Sequence, residues 1–398
     1  MILKRGRSKP FWVGHPWVFS GAVHRVEGPV GEMGGPCVVV DERDNVLGAG
    51  FYNPHAKIAV RILEHRRGTE LDFTPSALPD LVRQRLSSAV ARREMLGLPD
   101  EDTTAYRVCH GEGDLLGGLC LDRMGATAVM HLRSRAMYEQ REMIASTVAE
   151  LLGVTCVVAV VDEEASKSEA IPVGTEVLVG ETTGPMEVRE AGVRFRVDPD
   201  AGFKPSFHAA HRDNRARFSA LCADQSVLDL YCGAGGFGLR ASLAGAASVL
   251  AIDTSEPACA AARTNAELNR VSETMSVHCA DAMVFLKEAR AQGRTWSRIV
   301  CDPPRFARGR GHLKDAQKKL ARLNTLALAS LEPGGLMLTC TGSPHVSEEA
   351  FMRVLTDAGH RLRRGVHVHG VWGQAPDHPF AAVAPEGWAL TAALVSLE

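Results

Sequence analysis

The sequence has no C-x-x-C pair, although ten cysteines are spread along its 398 residues. That spacing argues against a zinc ribbon or a thioredoxin-type motif, and no metal is expected. Charge of neither sign dominates. The 45 Lys and Arg stand against 47 Asp and Glu, a formal net charge of −2, which excludes a uniformly basic nucleic-acid coat. Long apolar runs are missing as well: no stretch approaches the roughly 20 residues that cross a bilayer, and no membrane partner is expected. The opening MILKRGRSKPFW is basic but has no apolar core, so it does not read as a secretory leader. The sequence has no internal repeat and no low-complexity tract.

What remains is globular in composition. Hydrophobic residues make up 45% of the chain and charged residues 23%, and the length suits two or three domains. Several cysteines sit in apolar runs such as VHCADA and IVCDPP. They read as reduced, buried, small hydrophobes in a cytoplasmic protein. Three basic clusters interrupt the neutral balance: Lys4, Arg5, Arg7 and Lys9; then Arg305, Arg308, Arg310, Lys314, Lys318, Lys319 and Arg322; then Arg361, Arg363 and Arg364. Singly, each reads as solvated surface. Together they point to a polyanionic partner whose affinity would depend on salt.

The chain divides into three parts. Residues 1–75 are β-rich and punctuated by Gly and Pro, with strands in PCVVVDERDNVLGAGFYNP and KIAVRILEH. Residues 76–192 are α+β: a helix over LPDLVRQRLSSAVARREMLGL, strands around a Gly-rich loop, one amphipathic helix over AMYEQREMIASTVAELLG, and two short strands. Residues 193–398 alternate apolar strands with helices, which implies βαβ units and a parallel sheet covered on both faces. The fold class is therefore α/β.

The strongest motif is VLDLYCGAGGFGL, residues 227–239. A buried strand carrying Asp229 meets a loop with Gly233, Gly235 and Gly236, where glycine permits close backbone approach to a ligand. Next, VLAIDTS puts Asp253 at a strand tip, 24 residues on, where a carboxylate suits a ribose diol. The loop lacks the full G-x-G-x-x-G of a pyrophosphate site. Instead it resembles class I S-adenosylmethionine-dependent methyltransferases. CADAM and IVCDPPRF follow in the order that resemblance requires. It implies S-adenosyl-L-methionine as cofactor: Asp229 and the backbone of Cys232, Gly233 and Gly235 at its methionine part, Asp253 at the ribose, and Asp281 at the adenine. Tyr231, Phe237, Thr254, Ala282, Asp302 and Arg212 complete the expected cofactor-binding set. Asp302 with Pro303 would face the acceptor, Asp302 as a catalytic residue.

Further segments narrow the resemblance. HPWVFSGAV, GAGFYNP, YRVCHGEGDLLGGLCLDR, AGFKPSFHAAHRDNR and DHPFAAVAPEGWAL occur in order. With the motifs above, they resemble the bacterial 23S rRNA cytosine-C5 methyltransferases. That resemblance implies an N-terminal RNA-binding PUA domain, a central α+β domain and a C-terminal Rossmann-like domain, with 23S rRNA as partner and a homodimer as one open assembly. The chain departs from the pattern at Lys204, Pro205 and Ser206, at Ala210 and His211, at Ser166 and at Leu320. The largest departure is in LMLTCTGSPHV. The family's catalytic cysteine falls on Gly342, and Cys340 stands two residues deeper on the same strand face. Methylation at cytosine C5 needs a thiolate to add at C6. Cys340 is therefore a candidate nucleophile, with a packed thiol and a non-covalent substrate contact as alternatives. Two other readings stay open: a paralogue with a different acceptor, and a non-catalytic RNA-binding or ribosome-assembly protein that keeps the cofactor site. His110, Glu112 and Asp114 read as a locally hydrogen-bonded loop. Asp377 and His378 read as either a supporting pair or an active-site wall, and Trp12, Trp17 and Phe19 as packing residues.

Overall fold

The computed structural model describes residues 1–28, 31, 34–65, 77–182, 184–197, 208–306, 309–343 and 345–398. Lys204, Pro205, Ser206 and Arg308 lie outside the described residues. The chain forms two compact units. The first takes residues 1–186 and 376–387, the second 187–197, 208–375 and 388–398. Among the described residues, no helix is long and apolar enough to cross a membrane.

The first unit begins with a six-stranded sheet in the order Trp17–Phe19, Ile58–Glu64, Val46–Tyr52, Gly35–Val40, Ile2–Leu3, Val23–Arg25. The turn between its long central strands is closed by Asp41, whose carboxylate accepts the amides of Arg43 and Asn45 at 2.8 and 3.0 Å. A second sheet of five strands runs Gly174–Val179, Cys156–Val161, Thr127–Leu132, Leu119–Met124, Ala105–His110. Helices Leu78–Met95 and Arg141–Leu152 cover it through Leu78, Val82, Leu86, Ile144 and Val148. The helical run expected over 136–153 is two helices, Arg135–Glu139 and Arg141–Leu152. Gln140 sits between them at φ −99°, ψ 10°, outside the helical basin.

The second unit is built on seven strands: β1 (Ser226–Leu230), β2 (Ser248–Asp253), β3 (Met275–Cys279), β4 (Trp296–Cys301), β5 (Leu331–Thr341), β6 (Val366–Trp372) and β7 (Thr391–Leu397). Their order is β3-β2-β1-β4-β5-β7-β6. β1 to β5 are parallel, which explains their near-continuous apolar sequences: both faces are buried. β7 pairs antiparallel with β5 and with β6. The intervening helices are α1 (Arg212–Ser219), α2 (Gly236–Leu243), α3 (Glu256–Leu268), α4 (Ala282–Ala291), α5 (Leu313–Leu328) and α6 (Glu348–Leu362). β5 begins earlier than LEPGG suggests. Trp296 pairs with Leu331 and Arg298 with Leu336, so the Gly-Gly segment bulges within the strand instead of preceding it. The strand order reverses between β1 and β4. That is the switch point where open α/β sheets bind ligands, beyond the carboxyl ends of the strands.

Candidate functional site

The loop after β1 is shaped by its backbone. Tyr231 turns the chain at φ 62°, Gly233 at 54° and Gly235 at 87°. The amide of Cys232 donates to Ile252 O at 3.0 Å, and that of Gly233 donates to Asp253 Oδ2 at 3.0 Å. Gly235 then N-caps α2, and no side chain caps that helix. A Cβ at Gly235 would stand 2.9 Å from Met275 Cε, and one at Gly236 would stand 3.1 Å from Arg215 Cδ. Gly233 and Gly235 are favoured by their left-handed dihedrals, and at Gly235 and Gly236 a Cβ would also press on the Met275 and Arg215 side chains.

Carboxylates surround this loop. Asp229 is 1% exposed and accepts the Gly238 amide at 2.9 Å, and burial pushes its carboxyl up to about 7. Asp253 ends β2 and also accepts the Ser255 amide at 2.9 Å. Asp281, past β3, is exposed and caps α4 by accepting the Val284 amide at 2.9 Å; Ala282 beside it is buried. Thr254 is exposed, and its carbonyl accepts the Cys279 thiol. Phe237 packs edge-on against His211 and Phe218. Arg212 opens α1 and pairs with Asp213 at 3.5 Å. The fold therefore gathers Asp229, Cys232, Gly233, Gly235 and Asp253 in one cradle, with Asp281 at the next strand end. The cradle fits S-adenosylmethionine. The uncapped N-terminus of α2 suits the ligand's carboxylate, and a strand-end carboxylate suits its ribose.

Across the switch point, Asp302 follows the last residue of β4. His211, in the turn ahead of α1, lies 3.1 Å from it, Nε2 to Oδ2. Burial alone would raise the Asp302 carboxyl, but His211, His208 and Arg215 together hold it below the usual range. Cys340 pairs with Ala392 inside the sheet, is 0% exposed, and has its thiol pushed well above the ordinary value by burial and then by Asp302. Its sulfur is nonetheless within 4.8 Å of the reactive atoms of Asp302 and His211. Just past β5, a Cβ at Gly342 would touch Arg305 Cγ at 4.0 Å and nothing nearer among the described residues.

Family models and known proteins match this chain along its length. A PUA-like domain matches residues 1–65, and a family described as Conserved hypothetical protein 95 matches residues 196–351. A ribosomal RNA large subunit methyltransferase I from Shewanella denitrificans is 32% identical over 390 residues, covering 98% of this chain and 96% of the relative. The protein of that name from Shewanella amazonensis is 33% identical over 391 residues, with the same coverage. The chain belongs to the ribosomal RNA large subunit methyltransferase I family. A solved S-adenosylmethionine-dependent methyltransferase from Streptococcus mutans superimposes with a TM-score of 0.83 over 99% of both chains at 16% identity, which establishes the shared fold. A methyltransferase solved with SAH does so with a TM-score of 0.85, also at 16% identity and 99% coverage of both chains. The chain is an S-adenosylmethionine-dependent methyltransferase of this family.

The remaining sequence candidates fall elsewhere. In the first unit of this methyltransferase, Asp114 is fully buried. It accepts from Arg93 Nη1 at 2.7 Å, from Arg92 at 2.8 Å and from the His110 amide at 2.7 Å. Arg107 pairs with Asp122 at 2.5 Å, and its amide donates to Asp377 Oδ2 at 3.0 Å. His378 lies 3.1 Å from Asp377 and packs against the His110 ring; burial lowers the two imidazoles to about 4 and about 3. These residues form one paired ionic core, which sequence spacing did not reveal because its partners come from distant segments. Glu112 accepts from Trp17 Nε1 at 2.7 Å. Trp12 and Phe19, expected to pack inside, are 45% and 46% exposed; Phe11 and Val18 fill the core instead. Ser166 lies in the short helix Glu163–Glu169, and Leu320 is buried on α5. On α5, Lys314, Lys318, Lys319 and Arg322 are exposed opposite the buried face of Ala316, Leu320, Leu323 and Ala327.

Proposed function

We propose that this methyltransferase modifies 23S rRNA. One observation carries the reading: a glycine cradle and an acidic switch point, Asp229, Asp253 and Asp302, stand on one sheet edge in a chain matched end to end by large-subunit rRNA methyltransferases. Asp229 and the loop backbone from Cys232 to Gly235 hold the methionine end of the cofactor, Asp253 the ribose, and Asp281 the adenine side. Bound there, S-adenosylmethionine supplies an electrophilic methyl group. Asp302, oriented by His211, faces the acceptor, and buried Pro303 stiffens the turn behind it. Residues 1–75 act as an RNA-binding module, 76–192 as a central domain and 193–398 as the transferase domain. The exposed basic face of α5 gives phosphates a docking surface.

Cys340 and Gly342 favour a finer reading of the acceptor. The family resemblance points to cytosine C5, which needs a thiolate at C6. Cys340 is sealed in the sheet and held as a neutral thiol, and Gly342 has no side chain. An acceptor that is itself nucleophilic, a ring or exocyclic nitrogen, needs only orientation and a proton acceptor. The test is to incubate the purified chain with 23S rRNA and methyl-labelled cofactor. Label in the rRNA supports the reading. Cofactor binding by calorimetry with no label in any rRNA would overturn it in favour of a non-catalytic RNA-binding protein, and label in a metabolite alone in favour of a paralogue.

A further inference from the structure

Three donor groups of different chemistry meet beside the switch point. His211 comes from the turn before α1, Asp302 from the end of β4, and Cys340 from β5; their ligand atoms lie within 4.8 Å of one another, and the His211–Asp302 pair is at 3.1 Å. Around a tetrahedral zinc ion, ligands at about 2.0–2.3 Å stand roughly 3.5 Å apart; the His211–Asp302 edge is already near that, and the legs to the Cys340 sulfur would close by up to about 1 Å. Thiolate, imidazole and carboxylate together suit a borderline ion such as Zn²⁺; magnesium and calcium take oxygen ligands.

The surroundings carry two features of a metal site. Metal-ligating imidazoles are fixed through their second nitrogen, and His211 Nδ1 faces the amide of Asn214 at 3.4 Å. Asn214 is 1% exposed and bonds Gly373 O at 3.0 Å, and its Oδ1 is buried without a partner. The contact fixes the plane of the ring, and the bond to Gly373 O holds the amide in that orientation. Second, the triangle is closed on the sheet side by Cys340 and open on the other. Asp302 is 21% exposed, and among the described residues a Cβ at Gly342 would touch only Arg305 Cγ, at 4.0 Å. Three protein ligands with one open position is the pattern of a catalytic zinc site.

We propose that His211, Asp302 and Cys340 bind a zinc-class divalent ion whose open position faces the acceptor. There, bound to a carbonyl oxygen beside the acceptor nitrogen, it would make that N–H more acidic, and Asp302 would act through the ion instead of taking the proton itself. This site belongs to the transferase reading but its test does not depend on turnover. The full-length chain is stripped with chelator, reloaded with Co²⁺ or Zn²⁺, and read by metal analysis and absorption, with S-adenosylmethionine binding measured by calorimetry on the same samples. The expected result is about one ion per chain and a sulfur-to-cobalt charge-transfer band. The band should disappear in Cys340→Ala, and Zn²⁺ affinity should fall at least about tenfold in His211→Ala, with the fold of both variants checked by circular dichroism. Metal retention by the native chain no greater than in a combined His211→Ala, Cys340→Ala variant, or cobalt bound without the sulfur band, overturns the proposal. If cofactor binding is intact in that case, the methyltransferase reading survives the loss of this one.

Discussion

The two halves of the sheet edge are built in different ways. On the β1–β3 side, the site is made by local backbone: a glycine loop, a helix start, and carboxylates at or just beside successive strand ends, each tied to amides within its own βα connection or the next. On the β4–β5 side, it is made by tertiary assembly. His211, Asp302 and the Cys340–Gly342 stretch come from three segments, and the contacts that matter are side chain to side chain. In the proposed reading the first half holds the cofactor and the second faces the acceptor, and it is in the second that the chain departs from the pattern its sequence resembles.

Substitutions on each half should separate these roles. The largest effect is expected at Asp302. Asp302→Asn keeps the shape and removes the charge, and transfer should fall about 10²–10⁴-fold while calorimetric cofactor affinity stays within about threefold. A matching loss of affinity would mean that the two halves are not distinct. Gly235→Ala should do the reverse. It forces a Cβ at φ 87° to within 2.9 Å of Met275 Cε, a strain of about 1–3 kcal/mol, and cofactor affinity should drop roughly tenfold.

Asp229 offers a test by pH. Its folded-state carboxyl, near 7, lies above the unfolded value, so the native state holds a proton that the unfolded chain has lost. Stability of the cofactor-free protein should therefore fall as pH rises from about 4 to 7, by at most about 1.4 kcal/mol per unit from this group. In chemical denaturation, Asp229→Asn should flatten that slope, and an unchanged slope would assign it to other groups. Smaller still is the contribution of α5. Reversing Lys318 and Arg322 to Glu should reduce the salt dependence of rRNA binding by about one to two contacts and leave cofactor affinity alone. The smallest expected effect is at Gly342. Among the described residues, the Cβ of Gly342→Cys meets nothing nearer than Arg305 Cγ at 4.0 Å, so melting should shift by no more than a few degrees. The new thiol should react with a maleimide in the native protein, where Cys340 stays protected.

The same division decides how much of the molecule could be read from its sequence. Strand–helix alternation and D-x-x-x-G-x-G are local signals, and they correctly anticipate the parallel sheet, the glycine turn into α2 and Asp253 at a strand tip. The bulge in β5 was not legible, because Gly-Gly punctuates turns and bulged strands alike. His211 beside Asp302 was not legible either, since a lone histidine carries no spacing signal. The paired core of Arg93, Asp114, Arg107, Asp122 and Asp377 joins residues far apart in the chain. Trp12 and Phe19 misled because aromatic character alone does not say which of Phe11, Trp12, Val18 and Phe19 faces inward.

The central claim is that the acceptor side works without a thiol nucleophile. Nucleoside mass spectrometry on 23S rRNA methylated in vitro by the native chain, repeated with Cys340→Ala, tests it most directly. The label should be found on a nitrogen-methylated nucleoside. Labelled 5-methylcytidine that disappears in Cys340→Ala would contradict the claim and restore Cys340 as the nucleophile.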